Sequence, residues 1–155
     1  MLPNTEVRHP ERKKSRTLMT GFGVVLLFVL GFVVFFHTYF TTVVVSGKSM
    51  MPTLTNGKKV LVSNAYWLVG GIRHGDIVVI KTDVNGEFII KRVYKKQGET
   101  VDVMNIPVTW KLVQGPYTVP QGTVYVLGDN REVSEDSRRL GPIDVNHIIG
   151  KVVAY

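Results

Sequence analysis

Residues 76–94 read DIVVIKTDVNGEFIIKRVY. Two runs of Val, Ile, Phe and Tyr flank Asn85-Gly86, and an Asn-Gly pair between apolar runs is the strongest short-range signal for a β-hairpin. Outward from it, the same β-branched and aromatic richness recurs in TTVVV (41–45), KVLVS (59–63), TVDV (100–103), TVYVLG (123–128) and HIIGKVVAY (147–155). Turn formers separate these runs: Asn56-Gly57, Gly70-Gly71, His74-Gly75-Asp76 and Pro120-Gln121-Gly122. Beyond residue 40 there is no helix-period segment longer than about one turn, no internal repeat and no low-complexity tract. The expectation is a mainly β, compact domain over residues 41–155 that carries its function on a few short turns.

Upstream the pattern changes. Residues 17–36, TLMTGFGVVLLFVLGFVVFF, open a run of 31 uncharged positions between Arg16 and Lys48. Twenty helical residues at about 1.5 Å each cover the roughly 30 Å hydrocarbon core of a bilayer. Gly21, Gly23 and Gly31 fit such a helix, because glycine is more frequent in membrane helices than in soluble ones. Arg8, Arg12, Lys13, Lys14 and Arg16 precede the run, against only Glu6 and Glu11. Positive charge stays inside, which predicts a cytoplasmic N-terminus over 1–17 and a single-pass anchor over 18–40 in the plasma membrane. His37, Tyr39 and Phe40 form its interfacial end, and residues 41–155 lie on the extracytoplasmic face. A cleaved signal peptide has an apolar core of only about 7–15 residues and ends in a small-x-small site, which HTYFTT does not offer.

The 155 residues carry a formal charge of +7. Beyond the anchor, 14 Lys+Arg and 10 Asp+Glu are interspersed, with no basic tract and no zinc-finger spacing, so a nucleic-acid partner is not expected. The absence of cysteine removes disulfide scaffolds, thiol nucleophiles and thiolate metal sites. His9, His37, His74 and His147 are scattered, and neither a metal nor a cofactor is expected.

Three segments carry candidate chemistry. In SGKSMMPTL (46–54), Gly47-Lys48-Ser49 fails as a phosphate-binding loop: Thr42 stands where that loop needs glycine, and Met50-Met51-Pro52 where it needs a helix. Ser49 remains either an ordinary turn serine or a nucleophile. In FIIKRV (88–93), strand alternation puts Ile89, Lys91 and Val93 on one face and Phe88, Ile90 and Arg92 on the other. Either this is an edge strand guarded by basic side chains, or a lysine is held among apolar neighbours. Desolvation would then lower its pKa from about 10.4, and a neutral amine can take a proton from a serine hydroxyl. GDNREVSEDSRR (128–139) is acidic and rich in turn formers but lacks the glycine and terminal glutamate of an EF-hand. With no Ser-His-Asp set, hydrolysis would have to run on a Ser–Lys pair.

Taken in order, these segments resemble the bacterial type I signal peptidases, and in particular the short single-anchor type of Gram-positive bacteria. Ser46 to Thr53 match the family's G-x-S-M-x-P-T box. Gly75-Asp76-Ile77-Val78-Val79 and Lys91-Arg92-Val93 match the next two, and Gly128-Asp129-Asn130 with Ser134, Asp136, Ser137 and Arg138 match G-D-N-x-x-x-S-x-D-S-R without a gap.

The resemblance implies a membrane-anchored serine endopeptidase that removes signal peptides from exported preproteins after a small-x-small site. Ser49 would be the nucleophile, Lys91 its general base, and Ser134 the hydroxyl that orients the lysine. The Ser49 backbone N–H would stabilise the oxyanion, while Asp129, Asp136, Arg138 and Arg92 brace the site and Met50 and Met51 line the substrate pocket. Some relatives carry a hydroxyl two residues before the nucleophile; here that position is Gly47. After Lys91-Arg92-Val93 the family continues G-x-P-G-D, whereas this chain has Tyr94-Lys95-Lys96-Gln97-Gly98-Glu99, which bears on the rigidity of that turn. The short run from there to Gly128 leaves no room for the large β-insertion of some relatives. A catalytically silent relative, or one dedicated to a single client in pilus or conjugation-protein assembly, is the rival expectation.

Overall fold

The computed structural model describes residues 13–82 and 86–155, with side chains described from Thr20 onward. The chain divides into a unit that ends at Thr38 and a second unit of Tyr39–Tyr155. In the first, α1 (Lys13–Tyr39) contains a window, Thr20–Tyr39, long and apolar enough to cross a membrane. A helix satisfies its backbone polar groups internally, which is what an apolar solvent requires. Of the basic residues that set the expected orientation, Arg8 and Arg12 lie outside the described residues and Lys13, Lys14 and Arg16 outside the described side chains.

The second unit is built on strands. These are β1 (Phe40–Val44), β2 (Lys59–Ser63), β3 (Ile77–Lys81), β4 (Phe88–Lys96), β5 (Thr100–Val101), β6 (Tyr117–Thr118), β7 (Thr123–Leu127), β8 (Ile143–Asp144) and β9 (Ile148–Ala154). Two single-turn helices, α2 (Tyr66–Val69) and α3 (Ser137–Leu140), punctuate them. Seven strands form one sheet in the order β1-β2-β9-β3-β4-β7-β8, and β5 and β6 form a separate pair; every neighbouring pair is antiparallel. The mainly β expectation is met. The two-residue β6 and β8 lie outside the runs it named.

β3 shows why the run IVVI could be apolar throughout. Ile77 and Val79 join a core cluster with Met50, Leu54 and Ile90, whereas Val78 and Ile80 join one on the other face with Val93, Val124 and Val126. A strand covered on both faces loses the polar half of its alternation. β3 and β4 pair from Ile77↔Arg92 to Lys81↔Phe88 as the hairpin signal requires, although Asn85 itself lies outside the described residues.

The edge-strand reading of FIIKRV is overturned. β4 lies inside the sheet, between β3 and β7, and Lys91 is 4% exposed. The turn that departs from the family pattern is also braced. Glu99 Oε2 accepts the Lys96 N–H at 2.6 Å, Gln97 Oε1 accepts the Gly122 N–H at 2.9 Å, and Gly98 takes φ +78°. Side-chain acceptors here do what a rigid proline turn does elsewhere.

Candidate active site

Ser49 sits in the loop that joins β1 to β2. The loop is closed at its base, where the Val45 N–H donates to Lys58 O and the Gly57 N–H to Val45 O, both at 2.8 Å. Met50 and Leu54 anchor it from below at 2% and 0% exposure, and the Leu54 N–H donates back to Met50 O at 2.8 Å. Near the tip, Gly47 takes φ +91°, a region that costs glycine little and other residues a good deal. Its N–H donates to Asn56 Oδ1 at 2.9 Å, a bond across the loop. The Asn130 N–H donates to Ser49 O at 2.9 Å and ties the loop to the segment after β7. The Ser49 N–H itself has no partner among the described residues.

β4 delivers the lysine. Lys91 lies opposite Val78, so alternation puts it on the face that carries Val78 and Val93. Lys91 Nζ donates to Ser49 Oγ at 3.0 Å and to Ile90 O at 3.2 Å, and it forms no ion pair among the described residues. Burial pushes the ammonium below the ordinary lysine value, while Asp136 and Glu135 pull the other way more weakly. The result is an amine biased towards its neutral form and already aimed at a serine hydroxyl.

Arg92, one residue on, points to the opposite face and does a different job. Its Nε and Nη2 donate to Asp129 Oδ1 and Oδ2 at 2.8 and 2.7 Å, and its Nη1 donates to Gly75 O at 2.7 Å. Burial pushes the Asp129 carboxyl up, but the hydrogen bonds from Arg92 and Thr53 hold it below the usual aspartate range. One bidentate fork thus joins β4, the turn before β3 and the segment after β7.

That segment, residues 128–138, closes behind the pair. Asp136 is wholly buried and caps α3, and its Oδ2 accepts the Gly128 N–H at 3.0 Å. Arg138 grips the same carboxylate through Nε at 2.9 Å and Nη2 at 3.0 Å, and Nη2 also donates to Arg131 O at 2.7 Å. Burial again pushes the carboxyl up, and Arg138 with the Gly128 N–H outweighs it, so Asp136 stays ionised. Gly128 is a matter of space: a Cβ there would lie 2.1 Å from Ser134 Oγ and 2.6 Å from Ser49 O.

The structure therefore brings Ser49, Lys91, Arg92, Asp129, Ser134, Asp136 and Arg138 into one cluster. Two expectations need correction. The hydrogen bond from Ser134 to Lys91 is not made: Ser134 Oγ is buried close enough to Asp136 to favour its charged form, yet meets no partner at hydrogen-bond geometry. Met50 is a core residue rather than a pocket wall, which leaves Met51, at 36% exposure, as the one that faces solvent. A cavity of about 440 Å³ bounded by Ile72, Lys96, Glu99 and Val145 shares no residue with the site. Sequence reasoning gave no role to Asn56, Thr53 or the Asn130 N–H, although Thr53 and Asn130 both lie in the boxes quoted above and Asn56 in a turn signal. No group of three or more His, Cys, Asp or Glu among the described residues could hold a metal ion.

Comparison with known proteins gives a consistent picture. The family described as "Signal peptidase, peptidase S26" matches residues 16–111 and 106–155. Signal peptidase I of Bacillus amyloliquefaciens is 32% identical over 164 residues, covering 90% of this chain and 85% of that protein. Signal peptidase IB of Staphylococcus aureus is 33% identical over 161 residues, covering 83% of this chain and 81% of that protein. A crystal structure of a signal peptidase I from Enterococcus faecalis superposes with a TM-score of 0.43 at 24% identity, over 54% of this chain and 97% of that one.

Proposed function

The chain belongs to the signal peptidase family, peptidase S26, whose members are serine peptidases that remove signal peptides, and we propose that it does so with Ser49 as nucleophile and Lys91 as general base. The observation that carries this reading is the 3.0 Å contact between Lys91 Nζ and Ser49 Oγ, made by a lysine that is almost wholly buried. Neutral Lys91 takes the Ser49 proton as Oγ attacks the scissile carbonyl. It then returns that proton to the leaving amine, and the same amine deprotonates the water that hydrolyses the acyl-enzyme.

The negative oxygen of the tetrahedral intermediate is received by the unpaired Ser49 N–H, a donor of a kind typically worth about 2.7–4 kcal/mol. Gly47 contributes no second donor through its backbone, because its N–H is already given to Asn56. Arg92–Asp129 and Arg138–Asp136 hold the two flanking segments in place, and the buried Ser134 hydroxyl lies against Gly128, behind Ser49.

The wider setting follows the same reading. Residues 1–17 are cytoplasmic, 18–40 form a single-pass anchor and 41–155 the extracytoplasmic catalytic domain, which fits a helix of Lys13–Tyr39 followed at once by β1. The substrate is an exported preprotein cut after a small-x-small site. The test is cleavage of several such preproteins by the detergent-solubilised chain, read by mass spectrometry beside Ser49→Ala. A single cut after the small residue, absent from the variant, supports the assignment. A cut that survives in Ser49→Ala overturns the nucleophile, no cut by a folded chain overturns the activity, and a cut in only one preprotein makes the enzyme dedicated to one client.

A further inference from the structure

A ring of four side chains lies beside the site, towards the C-terminal end of β4. Strand β4 pairs with β7 as Val93↔Val126 and then Lys95↔Tyr125, so the ladder skips Tyr94. A bulge of this kind leaves one residue unpaired and re-aims its side chain. Tyr94 is turned to the segment after β5, where its OH donates to Asp102 Oδ2. Asn105 Nδ2 donates to both oxygens of the same carboxylate, at 2.8 and 3.1 Å, and Asn105 Oδ1 accepts Arg131 Nη1 at 2.9 Å. The Arg131 guanidinium, 5.6 Å from the centre of the Tyr94 ring, closes the circle. The hydrogen bond from Tyr94 holds the Asp102 carboxyl below the usual aspartate range. An ionised carboxylate only accepts, which fixes the Asn105 amide with its oxygen towards Arg131. The Asn105 backbone is pinned as well, since its carbonyl accepts the OH of the wholly buried Tyr125 at 2.6 Å.

Arg131 is where this ring meets the site. Every residue from Gly128 to Arg131 is tied to something: the Gly128 N–H to Asp136, the Asp129 carboxylate to Arg92, and the Asn130 N–H to Ser49 O. Arg131 O accepts Arg138 Nη2, and the Arg131 side chain is the tie that runs outward, to the ring. We infer that Arg131, gripped by Tyr94, Asp102 and Asn105, is a positioning residue that holds the Asn130 N–H against the Ser49 carbonyl and so sets Ser49 Oγ at its distance from Lys91. The inference rests on the reading of Ser49 as nucleophile. Lys91 and Tyr94 belong to one strand, so the base and the ring share a rigid element, whereas Ser49 comes from a loop. The route from Tyr94 through Asp102 and Asn105 to Arg131, and one residue back to Asn130, refers that loop to the frame of β4. Exposed polar contacts of this kind add little to stability, and what the ring contributes is geometry, to which the rate is far more sensitive.

Arg131→Met, Asn105→Ala and the double variant of the full detergent-solubilised chain test this, with two independent readouts. One is the cleavage kinetics of a preprotein; the other is residue-resolved amide hydrogen exchange at Asn130, which reports the bond to Ser49 O whether or not the chain turns over. Arg131→Met should speed exchange at Asn130 several-fold and lower kcat about tenfold, as a sub-ångström shift of the nucleophile does, with KM and melting temperature little changed. Asn105→Ala should do the same, and the double variant should be no worse than either single one, because both changes break the same strut. Losses that multiply in the double variant overturn the ring as a unit. Unchanged exchange or unchanged kcat in Arg131→Met, with cleavage still abolished by Ser49→Ala, overturns Arg131 as a positioning residue and leaves the nucleophile standing. Cleavage that survives Ser49→Ala overturns the nucleophile and the catalytic half of the inference with it, whereas exchange at Asn130 still reports the strut.

Discussion

The loop that carries Ser49, with Lys91 beside it, and the loop that backs it, residues 128–138, both bury polar groups beside β4, and they treat them in opposite ways. Behind Gly128 the buried charge is answered: Asp136 has no exposed surface but accepts from Arg138 and from the Gly128 N–H. In front of it Lys91 is buried with only a hydroxyl and a carbonyl for company, and no ion pair among the described residues. A buried carboxylate that is fully satisfied stays ionised and is inert. A buried ammonium that is not is destabilised, and that bias towards the free amine is the property a general base needs. The rigid half of the site is where the charges are balanced, and the reactive half is where one is left over.

The largest expected effect comes from removing that leftover charge. Lys91→Met should lower kcat/KM by at least about 10³-fold and, unlike most core substitutions, raise the melting temperature at neutral pH. Burial lowers the lysine's folded-state pKa, so between that value and the unfolded value of about 10.4 the unfolded chain binds more protons and stability rises with pH. The stability gain of Lys91→Met should therefore shrink as pH climbs towards 10, while wild-type activity rises through the lowered pKa. Thermal melts and rate profiles across that window check both halves. A variant that melts lower than wild type at pH 7 would mean the ammonium is well solvated and the contrast with the backing loop is false.

Arg138→Met probes the balanced half in the same way and should give the opposite sign. Removing one partner of a buried pair leaves an uncompensated carboxylate and costs about 3–5 kcal/mol, read as a drop in the urea midpoint. In the wild type the Asp136 contribution is present above the ordinary aspartate value of about 3.9 and lost as pH falls through its lower folded value. In the variant Asp136 protonates at higher pH, so the penalty should ease on acidification before the wild type itself begins to unfold. A penalty that is flat between pH 4 and 7 would show that Arg138 acts by packing alone.

Gly128→Ala falls between the two regions and should couple them. A methyl 2.1 Å from Ser134 Oγ and 2.6 Å from Ser49 O has nowhere to go. Overpacking of this kind typically costs about 1–3 kcal/mol, and a shift of about 1 Å in a reacting group can cost around 10²-fold in rate. The expected signature is a loss of kcat out of proportion to a modest loss of stability. Equal losses in both would place Gly128 in the scaffold only.

How far these regions were legible in the sequence depends on the range of the contacts that define them. β2 is found where KVLVS predicts it, because alternation and turn residues are local signals. The residues of the site were legible as boxes in order, yet two of their placements were not. Nothing local says that Met50 turns inward and Met51 outward in a turn with no regular period, or that FIIKRV is central, since centrality is decided by β7 some thirty positions away. The reason for Gly128 was equally hidden: its φ is ordinary, and only the approach of Ser134 and the Ser49 carbonyl makes a side chain impossible there.

Asn56 is the smallest and sharpest case, because Asn56-Gly57 reads locally as a turn signal and nothing more. In the fold its Oδ1 holds the Gly47 N–H at 2.9 Å and keeps Gly47 at φ +91°, two residues before Ser49. It touches no reacting atom, so its role is to position. Asn56→Ala should lower kcat by about tenfold, as expected of a sub-ångström misplacement of the nucleophile, with KM and melting temperature little changed. Asn56→Asp keeps an acceptor at the same place and should restore most of the rate. If both variants lose activity in step with stability, the loop is held by Met50 and Leu54 alone, and a bond across it contributes nothing to how Ser49 meets Lys91.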